Sequence, residues 1–139
     1  MTILPSILHD QITVLLEAGD RRFEKGDDHG ALAKYREAEA LLPSERERFE
    51  DSTWVLVAIG DALFQLAQFE PAREALDAAR RCPQGEDNPF IHLRLGQCLF
   101  EAGALAQAQT HLARAFEHGG LAVFEDEDEK YLTYLQGTR

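Results

Sequence analysis

The sequence predicts an all-α protein: a short solenoid of three helical hairpins closed by a short C-terminal capping helix. Three observations carry that prediction. Three stretches of the chain repeat one pattern of small and large residues. The apolar positions within them recur every three to four residues, the period of a helix face. Each stretch also closes on a helix breaker, proline or a glycine pair.

The repeating stretches are AGDRRFEKGDDHGALAKYREAEALLP (18–43), IGDALFQLAQFEPAREALDAARRCP (59–83) and LGQCLFEAGALAQAQTHLARAFEHGG (95–120). In each, a glycine (Gly19, Gly60, Gly96) is followed four residues later by phenylalanine (Phe23, Phe64, Phe100). An alanine then follows (Ala31, Ala72, Ala108), with a second one seven residues on (Ala38, Ala79, Ala115). The offsets between units are 41 and 36 residues for every one of these markers. Small residues at fixed places let two antiparallel helices approach closely, while phenylalanines and leucines fill the space between units. One such hairpin cannot bury its own apolar face, so stacking is required, and a solenoid with one concave and one convex surface results.

The elements follow in order. Helices are expected at about 6–25, 28–42, 45–67, 69–81, 89–102, 105–118 and 128–136. Gly26-Asp27-Asp28 reads as the turn of the first hairpin, and Pro43, Pro83 and Gly119-Gly120 close the three units. SERERFEDST (44–53) adds about two helical turns between units one and two. It is expected to lengthen the first helix of unit two, because Glu45, Arg46, Glu47 and Arg48 are helix formers and no glycine or proline intervenes before Gly60. Pro71 falls in a first helical turn, as does Pro89 with Asn88 as its cap. In LAVFEDEDEKYLTYL, residues Leu121, Val123, Phe124, Tyr131, Leu132 and Leu135 are expected to cover the open end of the last hairpin, with the acidic run 125–129 in solvent. The expected organisation is one domain over 1–139, with repeats at about 12–43, 45–83 and 89–120 and a cap at 121–139.

On the glycines, phenylalanines, paired alanines and closing prolines, the chain resembles the tetratricopeptide-repeat family over about residues 12–120. It departs from the usual family spacing at the insert between units one and two. The resemblance implies that the first helix of each hairpin lines a concave groove and that one stripe of that helix meets a ligand. The stripe so implied is Glu17, Asp20 and Glu24 in unit one, Trp54, Val57, Asp61 and Gln65 in unit two, and Phe90, Arg94, Gln97 and Glu101 in unit three. Trp54 is the single tryptophan, and an aromatic anchor ringed by polar groups is the usual form of an interface hot spot. Phe23, Phe64 and Phe100 are expected in the packing between units. The stripe lacks the lysines, arginine and asparagines with which some chaperone-binding members grip a C-terminal carboxylate.

Composition narrows the function classes. With 25 acidic against 14 basic residues, the formal charge of -11 disfavours nucleic acid and anionic membranes and favours a basic protein or peptide partner. The apolar start MTILPSILHDQITVLLEAG has no basic leader and is broken by His9, Asp10 and Gln11, so neither a signal peptide nor a membrane span is expected, and the location expected is cytoplasmic. Cys82 and Cys98 lack the spacing of a disulfide framework or zinc site and are read as buried or half-buried thiols. No two of His9, His29, His92, His111 and His118 are four apart, and EDEDE (125–129) lacks the glycine and alternation of a calcium loop, so no metal or cofactor is expected. With no nucleophile elbow and no phosphate-binding loop, catalysis is not expected. The function expected is non-enzymatic protein binding. More narrowly, in its single-domain size, its acidity and the stretches WVLVAIGDALF (54–64), NPFIHLRLGQCLFEAG (88–103) and VFEDEDEKYLTYL (123–135), the chain resembles small bacterial tetratricopeptide proteins, some of which look like immunity proteins that occlude a basic toxin domain. The competing expectations are a scaffold that self-associates at its C-terminal end through Phe124, Tyr131 and Tyr134, and an adaptor or chaperone subunit of a bacterial secretion system.

Overall fold

The computed structural model describes residues 3–137. Among them it forms α1 (Ser6–Glu24), α2 (Asp28–Ala40), α3 (Glu50–Gln65), α4 (Phe69–Arg80), α5 (Pro89–Glu101), α6 (Leu105–Gly119) and α7 (Glu129–Gly137), with 3-10 turns at Arg46–Arg48 and Leu121–Phe124. The pairs α1/α2, α3/α4 and α5/α6 are antiparallel hairpins in close contact. Each is drawn together at its glycine. A Cβ added to Gly60 would lie 2.6 Å from Leu76 Cγ, one on Gly96 would lie 2.7 Å from Leu112 Cγ, and one on Gly19 would strike the Tyr35 ring. Tyr35, Leu76 and Leu112 themselves keep the 41- and 36-residue offsets, so the repeat includes the knob that fills each glycine hole. All six paired alanines are completely buried.

Turn chemistry sets the hairpin geometry. Asp27 caps α2 by accepting from the Gly30 backbone N–H at 2.9 Å, and Asn88 caps α5 by accepting from Phe90 and Ile91 N–H at 2.9 and 3.1 Å, with Pro89 opening the helix. The second residue after each first helix adopts a left-handed conformation, with φ +80° at Gly26, 59° at Ala67 and +81° at Gly103. Ala67 therefore occupies a place that glycine fills in the other two units.

One core runs through the first two hairpins into α5, from Ile12 through Leu56, Ile59, Leu63 and Leu76 to Ile91, Leu95 and Cys98. A second joins Leu93 and Leu112 to Phe124, Tyr131 and Leu135, which makes α7 the terminal cap. Phe23, Phe64 and Phe100 are partly buried against these cores, as expected. Leu121 does not join them and stays exposed.

The insert differs from the sequence expectation. Helix α3 begins at Glu50, not 45, because Phe49 is extended (φ -119°, ψ 132°) and packs against the core. The helix propensity of Glu45 to Arg48 is overridden by that packing. It also leaves Glu50 and Asp51 in the first turn of α3, where the helix dipole favours carboxylates. No helix among the described residues is long and apolar enough to cross a membrane.

Candidate functional site

The first helices form the inner row of the solenoid. Helix α1 touches α3 and α3 touches α5, while α2 and α4 spend their contacts on the first helices on either side. The stripe named from the sequence therefore runs along one layer, but its members differ in access. Glu17, Asp20, Glu24 and Gln65 are exposed, Val57, Asp61, Phe90 and Glu101 are half-buried, and Trp54 retains 38% exposure.

Arg94 and Gln97 require correction. Expected on the open groove, both are buried, Arg94 at 5% exposure. Arg94 Nε donates to Asp61 Oδ1 at 2.8 Å, and its Nη1 donates to Gln97 Oε1 at 2.7 Å and Glu127 Oε1 at 2.5 Å. Gln97 Nε2 donates to the same Glu127 oxygen at 2.8 Å. The guanidinium carbon lies 4.7 Å from the ring centroids of both Phe64 and Phe90, so its faces are covered as well. Burial opposes the charge on Arg94, but the Asp61 and Glu127 carboxylates outweigh it and raise the pKa. A buried cation meets its desolvation cost only when paired and hydrogen-bonded, and here the pairing partner arrives from the acidic run expected to lie wholly in solvent.

The polar line continues toward both ends. Tyr35 donates to Asp20 Oδ1 at 2.6 Å, and burial, that bond, and the fields of Asp20, Asp61 and Glu24 push its phenol up. At the other end Glu101 accepts from the Tyr131 hydroxyl at 2.7 Å and from Lys130 at 2.8 Å. The ring of Phe100 stacks edge-on against Tyr131 and Tyr134, and Tyr134 donates to the Leu105 carbonyl at 3.0 Å. Phe124, Tyr131 and Tyr134, the residues of the competing self-association reading, are engaged within the chain, Phe124 and Tyr131 in the cap expected of them. The chain's own C-terminal segment fills the α5 end of the groove.

The α1 end is open. A cleft of about 270 Å³ lies there, lined by His9, Thr13, Leu16, Glu50, Asp51 and Trp54. His9 Nδ1 sits 2.6 Å from Asp51 Oδ2, and that hydrogen bond raises the histidine pKa.

Two features outside the groove bear on chemistry. His92, buried in α5, lies with Nε2 2.6 Å from the Glu86 carbonyl and Nδ1 3.0 Å from His111 Nδ1 on α6. The carbonyl can only accept, so His92 carries its proton on Nε2 and accepts from His111 Nδ1–H. Burial lowers both histidines, His111 to about 4. Their nineteen-residue separation hid the pair from local spacing. Cys98 is buried with its thiol pushed up to about 12 by desolvation, which keeps it protonated and unreactive. Among the described residues no group of three or more His, Cys, Asp or Glu side chains is placed to hold a metal ion.

Solved structures share this arrangement. The chain is similar to the Yersinia enterocolitica type III secretion chaperone SycD, solved with a peptide of the translocator YopD, at 17% identity and a TM-score of 0.73 over 92% of each chain. It is also similar to the first tetratricopeptide repeat domain of Spaghetti (RPAP3), solved with the HSP90 peptide SRMEEVD, at 18% identity and a TM-score of 0.69 over 92% of each chain. The fold is the tetratricopeptide-repeat fold. MamA shares it at 15% identity and a TM-score of 0.68, over 90% of this chain and 74% of its own. No family model matches the sequence, nor does any curated protein.

Within this tetratricopeptide solenoid, sequence reasoning missed the parts played by His9, Glu50, Asp51, Tyr35 and Glu127. Tyr35 has a signal in the sequence, since it shares its register with Leu76 and Leu112 once the glycines are aligned. Glu127 has none, because nothing local distinguishes it from the four other acidic residues of its run.

Proposed function

We propose that this chain is a non-enzymatic binding module that holds a segment of a partner protein in the open, α1–α3 half of its concave groove. The observation that carries this reading is Trp54: the single tryptophan keeps 38% exposure and lines a cleft between α1 and α3, whose α1 residues lie close in sequence to the exposed apolar Ile7 and Val14. Glu50 and Asp51 line the cleft beside it, and Glu17, Asp20 and Glu24 stay exposed along α1, so a partner segment that alternates apolar and basic residues is complementary. Two structurally similar proteins were solved holding peptides, which favours capture of an extended or helical segment over capture of a small molecule.

Of the narrower roles, the similarity to SycD favours a chaperone that holds a segment of a client protein. The reading as a toxin immunity protein rests on the sequence resemblance and the acidic charge, and none of the similar structures adds to it.

The test is co-expression with the products of neighbouring genes, followed by size-exclusion chromatography and titration calorimetry of any complex. Trp54→Ala is expected to weaken the complex at least tenfold with little change in melting temperature, and Gln65→Arg to weaken it through charge. A complex indifferent to both substitutions would remove the groove from the interaction.

A further inference from the structure

We infer that the cleft between α1 and α3 is a pocket for one basic side chain, arginine or lysine, of the bound segment. Its aliphatic stem lies along Trp54 and Leu16, and its charge replaces His9 at Asp51. The inference rests on the proposed groove function and specifies what its open end recognises.

The lining sets the chemistry. Trp54 offers the face of an indole, which attracts cations, and Leu16 and the Thr13 side chain supply apolar wall for a stem. Glu50 and Asp51 supply carboxylates on the same side, one turn before Trp54 on α3. At about 270 Å³ the cleft lies below the usual range for an independent ligand but accommodates a single long side chain. Carboxylates at a helix N-terminus are common and imply no ligand by themselves. Here, however, one of them already holds a cation: His9 caps Asp51 at 2.6 Å.

That cap is removable. Asp51 retains only 16% of its side-chain exposure, whereas His9 retains 55%, so the anion is a fixed part of the wall and the histidine lies over it from outside. An exposed ion pair of this kind is held weakly. A guanidinium or ammonium entering from the groove finds a carboxylate whose present partner is a weak base that loses its charge as pH rises. The charged groups facing His9 are Asp51 and Glu50 from α3 and Asp10 from its own helix. All three are acidic, so the imidazolium is favoured at low pH and competes there with the incoming cation. Basic segments therefore bind more tightly at pH 8 than at pH 6.

The test uses the full chain and two capped nonapeptides, one of alternating leucine and arginine, the other of alternating leucine and glutamate. Trp54 emission and calorimetry read binding, and the His9 imidazole resonance reads release of Asp51. The arginine peptide is expected to shift Trp54 emission and return the His9 titration toward an ordinary value, while the glutamate peptide does neither. Glu50→Gln and Asp51→Asn are each expected to weaken the arginine peptide about tenfold. His9→Ala is expected to strengthen it at pH 6 and to abolish the difference between pH 6 and pH 8. Circular dichroism of each variant separates lost binding from lost folding, and Glu50→Gln, whose side chain has no role in the core, serves if Asp51→Asn unfolds. If Trp54→Ala abolishes binding but Glu50→Gln, Asp51→Asn and His9→Ala do not alter it, the basic pocket is overturned and the groove reading stands. If Trp54→Ala also leaves binding unchanged, both fall.

Discussion

Arg94 on α5 reaches Glu127 at 2.5 Å, across thirty-three residues of sequence, and so fastens the acidic run to the third hairpin. Asp61 completes the cage from α3 at 2.8 Å, so one side chain joins two repeats and the cap. Arg94→Met removes the cation and leaves two partly buried carboxylates facing each other. Breaking a buried pair from one side costs roughly 3–5 kcal/mol. The lower end is expected here, because Asp61 and Glu127 keep 23% and 16% of their side-chain exposure. Urea denaturation of Arg94→Met should show that loss. Adding Asp61→Asn and Glu127→Gln should recover most of it, and no recovery would mean that packing against Phe64 and Phe90, not charge, explains the effect.

The hairpin glycines make a second prediction. A Cβ on Gly60 would meet the branch of Leu76 at 2.6 Å, and one on Gly96 would meet Leu112 at 2.7 Å. Both leucines are fully buried and have nowhere to retreat. Gly60→Ala and Gly96→Ala should each destabilise by about 1–3 kcal/mol through overpacking. Gly137→Ala, with open space around it, is the control and should leave the melting temperature unchanged or slightly raised.

Ala67 predicts a gain. Its φ of 59° lies in the left-handed region, where an L-residue pays about 1–2 kcal/mol. Gly26 and Gly103 hold the matching places without that strain. Ala67→Gly relieves it and gives back part as extra freedom of the unfolded chain, so a net stabilisation of up to about 1 kcal/mol is expected in thermal unfolding. A lower melting temperature would show that the turn is not strained.

The His92–His111 pair predicts acid sensitivity. Both histidines titrate below their ordinary range in the folded chain, His111 at about 4, because burial opposes the charged form. Between that value and the ordinary value near 6.5, the unfolded chain binds more protons than the folded one, so stability rises with pH. The contribution is complete above pH 6.5 and is lost as the pH falls toward 4. Denaturation midpoints measured from pH 8 to pH 4 should fall across this window, and His111→Gln should flatten the slope. A slope unchanged in that variant would assign the acid sensitivity to carboxylates instead.

The repeat was legible because its constraints are local and recur. A glycine that admits a neighbouring helix, two alanines seven apart and a closing proline all leave marks at fixed offsets. Tertiary packing overrode local propensity at 45–49, where four good helix formers lost to the burial of one phenylalanine. The groove stripe was legible as positions but not as accessibilities. Trp54 and Asp61 lie on α3 in the row of first helices, yet Arg94 and Gln97 are covered by a residue that lies far along the chain.

What the sequence by itself determined is the architecture, three hairpins in register and their hinge turns, because helix period and close approach are written in neighbouring residues; which helix layer faces inward came from the family resemblance. Only the tertiary structure decided which part of that layer is free. Glu127 and Tyr131 occupy the α5 end, and the His92–His111 contact and the His9–Asp51 pair arise between separate helices. The physical reason is the same in each case. A charged or polar side chain takes the partner that spatial proximity supplies, and proximity between helices tens of residues apart is set by how the hairpins stack.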